Sequence, residues 1–268
     1  MSVTLAGVGL AHGNGTHALA AIDLAIGAGE RVAVIGPSGA GKTTLLRLLA
    51  TALRPSEGQL AVLGDDPWRL SPRARKALRA RIGLIHQAPP LPPRQRVVTA
   101  VGGGRLGRWS LARGLANLLY PLDINGVGET LARLDLADRL FDRCDQLSGG
   151  QLQRVGIARV LYQEAELLLA DEPVSAMDPT LADHSLAVLA HEAQSRGVTL
   201  VASLHAVDLA LKHFPRIIGL RDGRILFDRA PGAIPAAALA ALYANEQLRA
   251  PAPDSEGARP LVLPIPRC

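Results

Sequence analysis

Gly36, Gly41, Lys42 and Thr43 stand in the string GPSGAGKTT at the spacing G-x-x-x-x-G-K-[ST], whose chemistry is the binding of a phosphate chain. Glycines let successive backbone N–H groups turn inward around a phosphate, and a helix opening there adds the positive end of its dipole. Lys42 would bridge the β- and γ-phosphates and the Thr43 hydroxyl would hold Mg²⁺. Pro37, Ser38, Gly39, Ala40 and Thr44 complete the loop. Further along, ELLLADEP carries Asp171 and Glu172 at the end of an apolar run. Asp171 is suited to reach Mg²⁺ through water, and Glu172 to polarise an attacking water as general base. Taken alone, adjacent carboxylates there are as compatible with capping the next helix; the phosphate loop tilts the reading toward chemistry. Gln87 and His205 each follow a predicted strand. A lone Gln or His in such a place is ordinarily a satisfied polar residue. At the same sheet edge as Glu172, however, Gln87 can touch Mg²⁺ and water without adding charge, and His205 can bond the γ-phosphate and fix the water.

These residues need a scaffold that delivers them to one edge. Val32 to Ile35 reads as a buried strand feeding the loop, and Leu45, Leu46, Leu48 and Leu49 mark the apolar side of the helix that follows. SVTLAGVGL and GTHALAAIDLAI, separated by the turn-rich HGNG, predict an antiparallel strand pair. RPSEGQLAVLGD adds a turn and a strand, and SPRARKALRARIGLIHQ a basic helix followed by a strand over Ile82 to Ile85. Four prolines within PPLPP then break the pattern. From about residue 88 to about 160 the periodicity is helical throughout, including TAVGGGRLGRW, SLARGLANLLY and GVGETLARLDLADRLFD. The strand–helix alternation returns with ELLLAD, PTLADHSLAVLAHEAQSRG, TLVASL, HAVDLALKHF and the closing strands in RIIGLRDGRILFD. Such alternation predicts an α/β fold with a mainly parallel sheet and right-handed crossovers. An alanine-rich helix and the proline-rich RAPAPDSEGARPLVLPIPRC, expected to be mobile, end the chain.

Composition narrows the class. The 268 residues, 48% of them hydrophobic, suffice for one large domain with a subdomain. The two cysteines, Cys144 and Cys268, make no C-x-x-C pair, so neither a disulfide framework nor a zinc site is expected. The opening residues lack a basic segment leading into an apolar one, and no apolar stretch is long enough for a bilayer span. A net charge of +5 raises nucleic acid as a partner, but the arginines are spread along the chain and aromatics make up 3% of it. Stacking platforms are therefore scarce, and no nucleic-acid partner is expected.

A second glycine pair, in LSGGQLQR, makes the set specific. Ser148 is placed to cap a helix while Gly149 and Gly150 leave its first N–H groups open, a second anion site. With the loop at Gly36–Thr44, Gln87, the signature Leu147–Gln151, Asp171 and Glu172, the SAMD loop ending at Asp178, and His205, the chain from about residue 2 to 230 resembles the ATP-binding cassette ATPases. That resemblance implies a P-loop NTPase fold with an ABC-type nucleotide-binding domain: a mainly parallel core sheet, an antiparallel β subdomain and a helical signature subdomain. It implies ATP and Mg²⁺ as cofactors. It also implies a head-to-tail dimer in which Ser148, Gly149, Gly150, Gln151 and Asp178 of one copy contact the partner's ATP. Thr43, Gln87 and Asp171 are the implied metal set, and Glu172, His205 and Gln87 the catalytic one. Adenine usually stacks on an aromatic residue in the turn after the first strand; here His12 occupies that place, and a solvated turn histidine is the alternative. The expected division is residues 1–235 as the ATPase domain, with the insert at about 88–160, and 236–268 as a C-terminal helix and tail.

The wording of the insert, from GRLGRWSL through DRCDQLSGGQLQRVGIARVLYQEAELLLADEP, is similar to the phosphonate-importer ATPases, with QLQ for QQQ and SAMDP for ASLDP as departures. Related ATPases for phosphate, phosphite and polar amino acids share several of these strings. The resemblance implies a motor at the cytoplasmic face of the inner membrane, coupled to integral membrane permeases and indirectly to a substrate-binding protein. Two other classes stay open: an ATPase of a soluble phosphonate-processing assembly, and a nucleic-acid remodelling ATPase, which usually carries two cassettes or a long coiled-coil arm.

Overall fold

The computed structural model describes residues 1–11 and 17–244. Strands β1 (Val3–Ala11) and β2 (His17–Ile26) pair antiparallel, as the alternation predicts. β3 (Arg31–Ile35) leads through the glycine loop into α1 (Lys42–Leu49). β4 (Glu57–Val62) joins the free edge of β1, giving a three-stranded antiparallel sheet in the order β2-β1-β4. The basic helix α2 (Pro72–Ala80) then precedes β5 (Ile82–Ile85).

The insert contains α3 (Val97–Gly102), α4 (Leu111–Leu119), α5 (Ile124–Ala132) and α6 (Gly149–Gln163). It is less continuous than its periodicity predicts. TAVGGGRLGRW is not one helix: α3 ends at Gly102 and residues 103–107 tighten into a 3₁₀ turn. Three successive glycines, Gly102 to Gly104, weaken the helix there, and the turn packs closely on α6, where a Cβ on Gly104 would lie 2.3 Å from the Arg159 carbonyl oxygen. Asp123 caps α5 by accepting from the Gly126 N–H at 2.9 Å, and Tyr162 of α6 donates its hydroxyl to the same carboxylate at 2.7 Å. That hydrogen bond, before the one from Gly126, holds Asp123 below the usual carboxylate range. Burial, with the Asp123 bond behind it, pushes the Tyr162 phenol up to about 12.

The remaining elements are β6 (Leu167–Asp171), α7 (Pro179–Ser195), β7 (Thr199–Leu204), α8 (Val207–His213), β8 (Arg216–Arg221), β9 (Arg224–Arg229) and α9 (Ala236–Tyr243). The large sheet has the order β5-β6-β7-β3-β8-β9, parallel except for β9, which turns back along β8. Covered on both faces, its inner strands read as continuous apolar runs. Period-two alternation divides them between two cores. Val32 and Val34 of β3, Leu167 and Leu169 of β6 and Val201 of β7 meet α1 and the antiparallel sheet. Ala33, Ile35, Leu168, Ala170, Leu200 and Ala202 meet the insert and α7. Leu242 of α9 is fully buried in this second core. His12 and the proline-rich tail lie outside the described residues.

Candidate active site

Every strand of the parallel set ends at the same edge, so the loops after β3, β5, β6 and β7 converge there, as expected of the carboxyl ends of an open α/β sheet. After β3 the backbone turns at Gly36, where a Cβ would sit 2.0 Å from the Leu220 carbonyl oxygen, and again at Gly41, which has φ 102° and would place a Cβ 2.6 Å from the Ala18 carbonyl oxygen. Only glycine fits either place. Lys42, buried at the first turn of α1, donates its ammonium to the carbonyls of Gly36 at 2.6 Å and Pro37 at 3.1 Å. The loop thus holds the cation that would bridge phosphates across its own mouth.

The loop faces a cavity of about 500 Å³ lined by His17, Ala18, Ser38 to Thr44, Gln87, Glu172 and His205. Thr43 of α1 donates its hydroxyl to Asp171 Oδ1 at 3.0 Å, and Ser203 of β7 donates to the same oxygen at 2.8 Å. Ser203 Oγ in turn accepts from the Glu172 N–H at 3.0 Å. Glu172 adopts a left-handed backbone, φ 47°, a conformation that costs a non-glycine residue energy and therefore has to be held by its surroundings. Its two carboxylate oxygens are both engaged: Gln87 Nε2 donates to Oε2 at 2.9 Å, and His205 Nε2 lies 2.6 Å from Oε1. Gln87, Glu172 and His205, 118 residues apart in chain from first to last, are one cluster. The arrangement can seat a phosphate chain on the loop and direct a carboxylate, oriented from both sides, at a water above it.

Ser148 caps α6 with a reciprocal pair: its Oγ accepts from the Gln151 N–H at 3.3 Å while Gln151 Oε1 accepts from the Ser148 N–H at 2.9 Å. A Cβ on Gly149 would meet open space, whereas one on Gly150 would lie 3.1 Å from the Ala176 carbonyl oxygen. Asp178 caps α7, accepting from Thr180 and Leu181 at 3.1 and 3.0 Å. Among the described residues, neither Ser148 to Gln151 nor Asp178 lines the cavity at the phosphate loop. One chain therefore does not bring the two glycine loops together.

Three residues of the site escape sequence reading. Ser203, in the middle of TLVASL, looks like strand filler but joins Asp171 to Glu172. Gln153, the last glutamine of LSGGQLQR, is buried; its Nε2 donates to Glu172 O at 3.0 Å and Gln87 O at 3.3 Å, and its Oε1 accepts from the Ala176 N–H at 3.1 Å. A glutamine at an inward helical position of α6 was the available signal. His17, the first residue of β2, also lines the cavity.

Known proteins place the chain. The family model described as ABC transporter matches residues 19–175, more than half of the sequence. The phosphonates import ATP-binding protein PhnC 2 of Pseudomonas aeruginosa is 67% identical over 268 residues, covering 100% of both chains. The phosphonates import ATP-binding protein PhnC of Pseudomonas fluorescens is 63% identical over the same length, again covering 100% of both. Among solved structures, a dimeric post-hydrolysis state of the ATP-binding cassette MJ0796 bound to ADP and Pi matches with a TM-score of 0.74 and 28% identity, covering 85% of this chain and 98% of that one. The cbiO1 protein from Clostridium perfringens, part of an ABC transporter complex, matches with a TM-score of 0.72 and 25% identity, covering 86% and 88%. With the phosphate loop, the paired carboxylates and the second glycine loop in this fold, the chain belongs to the ABC transporter family.

Proposed function

We propose that this chain is the ATP-hydrolysing motor of a phosphonate importer. The observation that carries the reading is the full-length identity of 62 to 67% to relatives named as phosphonate import ATP-binding proteins. The convergence of Gln87 and His205 on Glu172 supports the roles of general base, water-positioning amide and switch histidine. Thr43 Oγ1 and Asp171 Oδ1, two hard oxygens 3.0 Å apart with Gln87 at the same edge, suit a small divalent cation of the Mg²⁺ type. Bound there, Mg²⁺ neutralises charge on the β- and γ-phosphates. Lys42 and the loop amides seat the phosphates, and Ser148 to Gln151 with Asp178 complete the site from a second copy packed head to tail. The separation of the two glycine loops within one chain supports that dimer, as do the dimeric cassettes to which the chain is similar.

Among the described residues no helix is long and apolar enough to cross a membrane. The importer reading puts the motor at the cytoplasmic face of the inner membrane, held there by its permeases. The motor passes dimer closure through the helical insert to permease subunits. A separate binding protein and the permeases read the phosphonate; this subunit does not. The test is growth and uptake with a phosphonate, phosphite or phosphate as sole phosphorus source, in cells lacking this gene and complemented with the native chain or Glu172→Gln. Rescue of phosphonate use by the native chain alone is expected. Unaffected uptake in every medium, with ATP hydrolysis intact in the purified chain, overturns the importer reading in favour of a soluble assembly.

A further inference from the structure

The arginines are spread along the chain, but the acids are not. Residues 67 to 122 contain eleven Arg and Lys and no Asp or Glu; the rest of the chain holds 18 basic against 24 acidic residues, a net charge of −6. The basic stretch folds into one contiguous region. α2 and α4 both pack against the turn at residues 103–107, where a Cβ on Gly107 would lie 3.1 Å from Ala80 Cβ and one on Gly114 would lie 3.2 Å from Leu106 Cδ2. Acids outside the stretch pair with Arg69, Arg81 and Arg105. Arg73, Lys76, Arg94, Arg96, Arg108 and Arg113 are exposed and, among the described residues, make no ion pair. A chain that is net acidic elsewhere thus carries one strongly basic region.

The same region holds most of the large apolar side chains left in water. Of eight such residues described, five lie between Leu106 and Leu122, with Leu111 80% and Tyr120 67% exposed. Within α4, Gly114 and Asn117 turn inward, whereas Leu111 and Leu115, one helical turn apart, stay outside. Trp109 and Tyr120 flank the helix, and the Arg113 guanidinium lies 5.0 Å from the centre of the Trp109 ring. The Arg108 guanidinium donates to the Glu164 carbonyl oxygen at 2.9 Å. Leucines on one helical face, aromatic residues at its ends and arginines without acids are the composition of a segment that lies in a lipid interface.

We infer that the α4 surface from Trp109 to Leu122 binds an anionic lipid surface directly, with Leu111, Leu115 and Leu122 entering the headgroup layer and Arg108 and Arg113 meeting lipid phosphates. A protein partner would be expected to use the neighbouring hollow lined by Pro90, Pro92, Gln95, Thr99, Asn117 and Arg159, since a protrusion seats in a concavity. α4 offers an exposed apolar face rather than a hollow, which suits a soft, flat, charged layer. The inference draws on the importer reading only to explain why the chain meets a membrane, and it is tested without transport, so the two fail separately.

The experiment is flotation of the purified full-length chain with vesicles of phosphatidylcholine, with and without phosphatidylglycerol, at low and high salt. The native chain is expected to float only with the anionic vesicles, and less at high salt, because screening weakens the attraction. R108Q/R113Q should weaken the partition about thirtyfold, from the usual contribution of a basic residue near an anionic surface. L111S/L115S should remove the fraction that survives high salt. Both variants lie away from the phosphate loop, so ATP hydrolysis in solution should be unchanged and reports that they fold. No flotation of the native chain, equal flotation with neutral vesicles, or unchanged flotation of both variants overturns the inference. So does a variant that floats normally but no longer copurifies with permeases, which assigns the surface to them, and so does a DNA duplex that displaces the chain from anionic vesicles while bound to this surface.

Discussion

Replacing Gln153 with Met tests whether the signature helix holds Glu172, the proposed general base, in place. Gln153 is 1% exposed, and Met has nearly its volume, so the substitution leaves packing and removes polarity. Its bonds are of unequal weight. Glu172 O keeps a second donor in Ser175 Oγ at 3.2 Å, so losing the Gln153 contact there costs about 1 kcal/mol. The Ala176 N–H, 3.1 Å from Gln153 Oε1, has no other recorded acceptor among the described residues, and a buried donor left unpaired costs about 1–3 kcal/mol. The Gln87 carbonyl at 3.3 Å adds little. Urea unfolding should therefore show a loss of roughly 2–4 kcal/mol. Because the same amide tethers Glu172, whose φ of 47° depends on its surroundings, and the loop bearing Gln87, kcat for ATP should fall by up to about 100-fold, the cost of displacing a reacting group by about an ångström. KM should change little, since Lys42 and the phosphate loop do not touch Gln153. A stability within about 0.5 kcal/mol of the native chain together with an unchanged kcat would refute this account.

Gly41→Ala should abolish ATP binding and destabilise the fold by about 3 kcal/mol or more, since its Cβ would meet the Ala18 carbonyl at 2.6 Å in a left-handed backbone; calorimetric titration with ATP and a thermal melt check it. Asp123→Ala removes a helix cap and the Tyr162 hydrogen bond, at a cost of about 1–2 kcal/mol at neutral pH. Because the fold depresses the Asp123 carboxyl, its contribution is present above the unfolded value and is lost as pH falls through the folded one, so variant and native stabilities should converge in acid. A gap that stayed constant below the ordinary carboxylate range would count against that assignment. His12→Ala should raise the KM for ATP with kcat nearly constant if the imidazole stacks on adenine; an unchanged KM removes His12 from the site.

Local chemistry made much of this protein legible from residue order. The phosphate loop is readable because a chain of inward N–H groups needs glycines and a lysine at set intervals. The apolar runs around Val32, Leu167 and Val201 are readable because a strand buried on both faces admits little else. The Ser148 cap is readable because its side chain answers an amide three residues away, a contact confined to one turn. By contrast, the close approach of Gly104 to the Arg159 carbonyl of α6 is a contact across 55 residues that no local pattern encodes. The roles of Ser203 and Gln153 likewise arise only when β6, β7 and α6 meet, because a hydroxyl or amide acquires its function from partners 19 to 66 residues distant in chain. The charge asymmetry was countable in the sequence, yet whether eleven cations without an acid form a surface or a scatter was decided by the packing of α2 and α4 on a single turn. Covalent order determined which groups are available, and tertiary structure decided which of them are neighbours, because electrostatics and hydrogen bonding act through space over a few ångströms and take no account of separation along the chain.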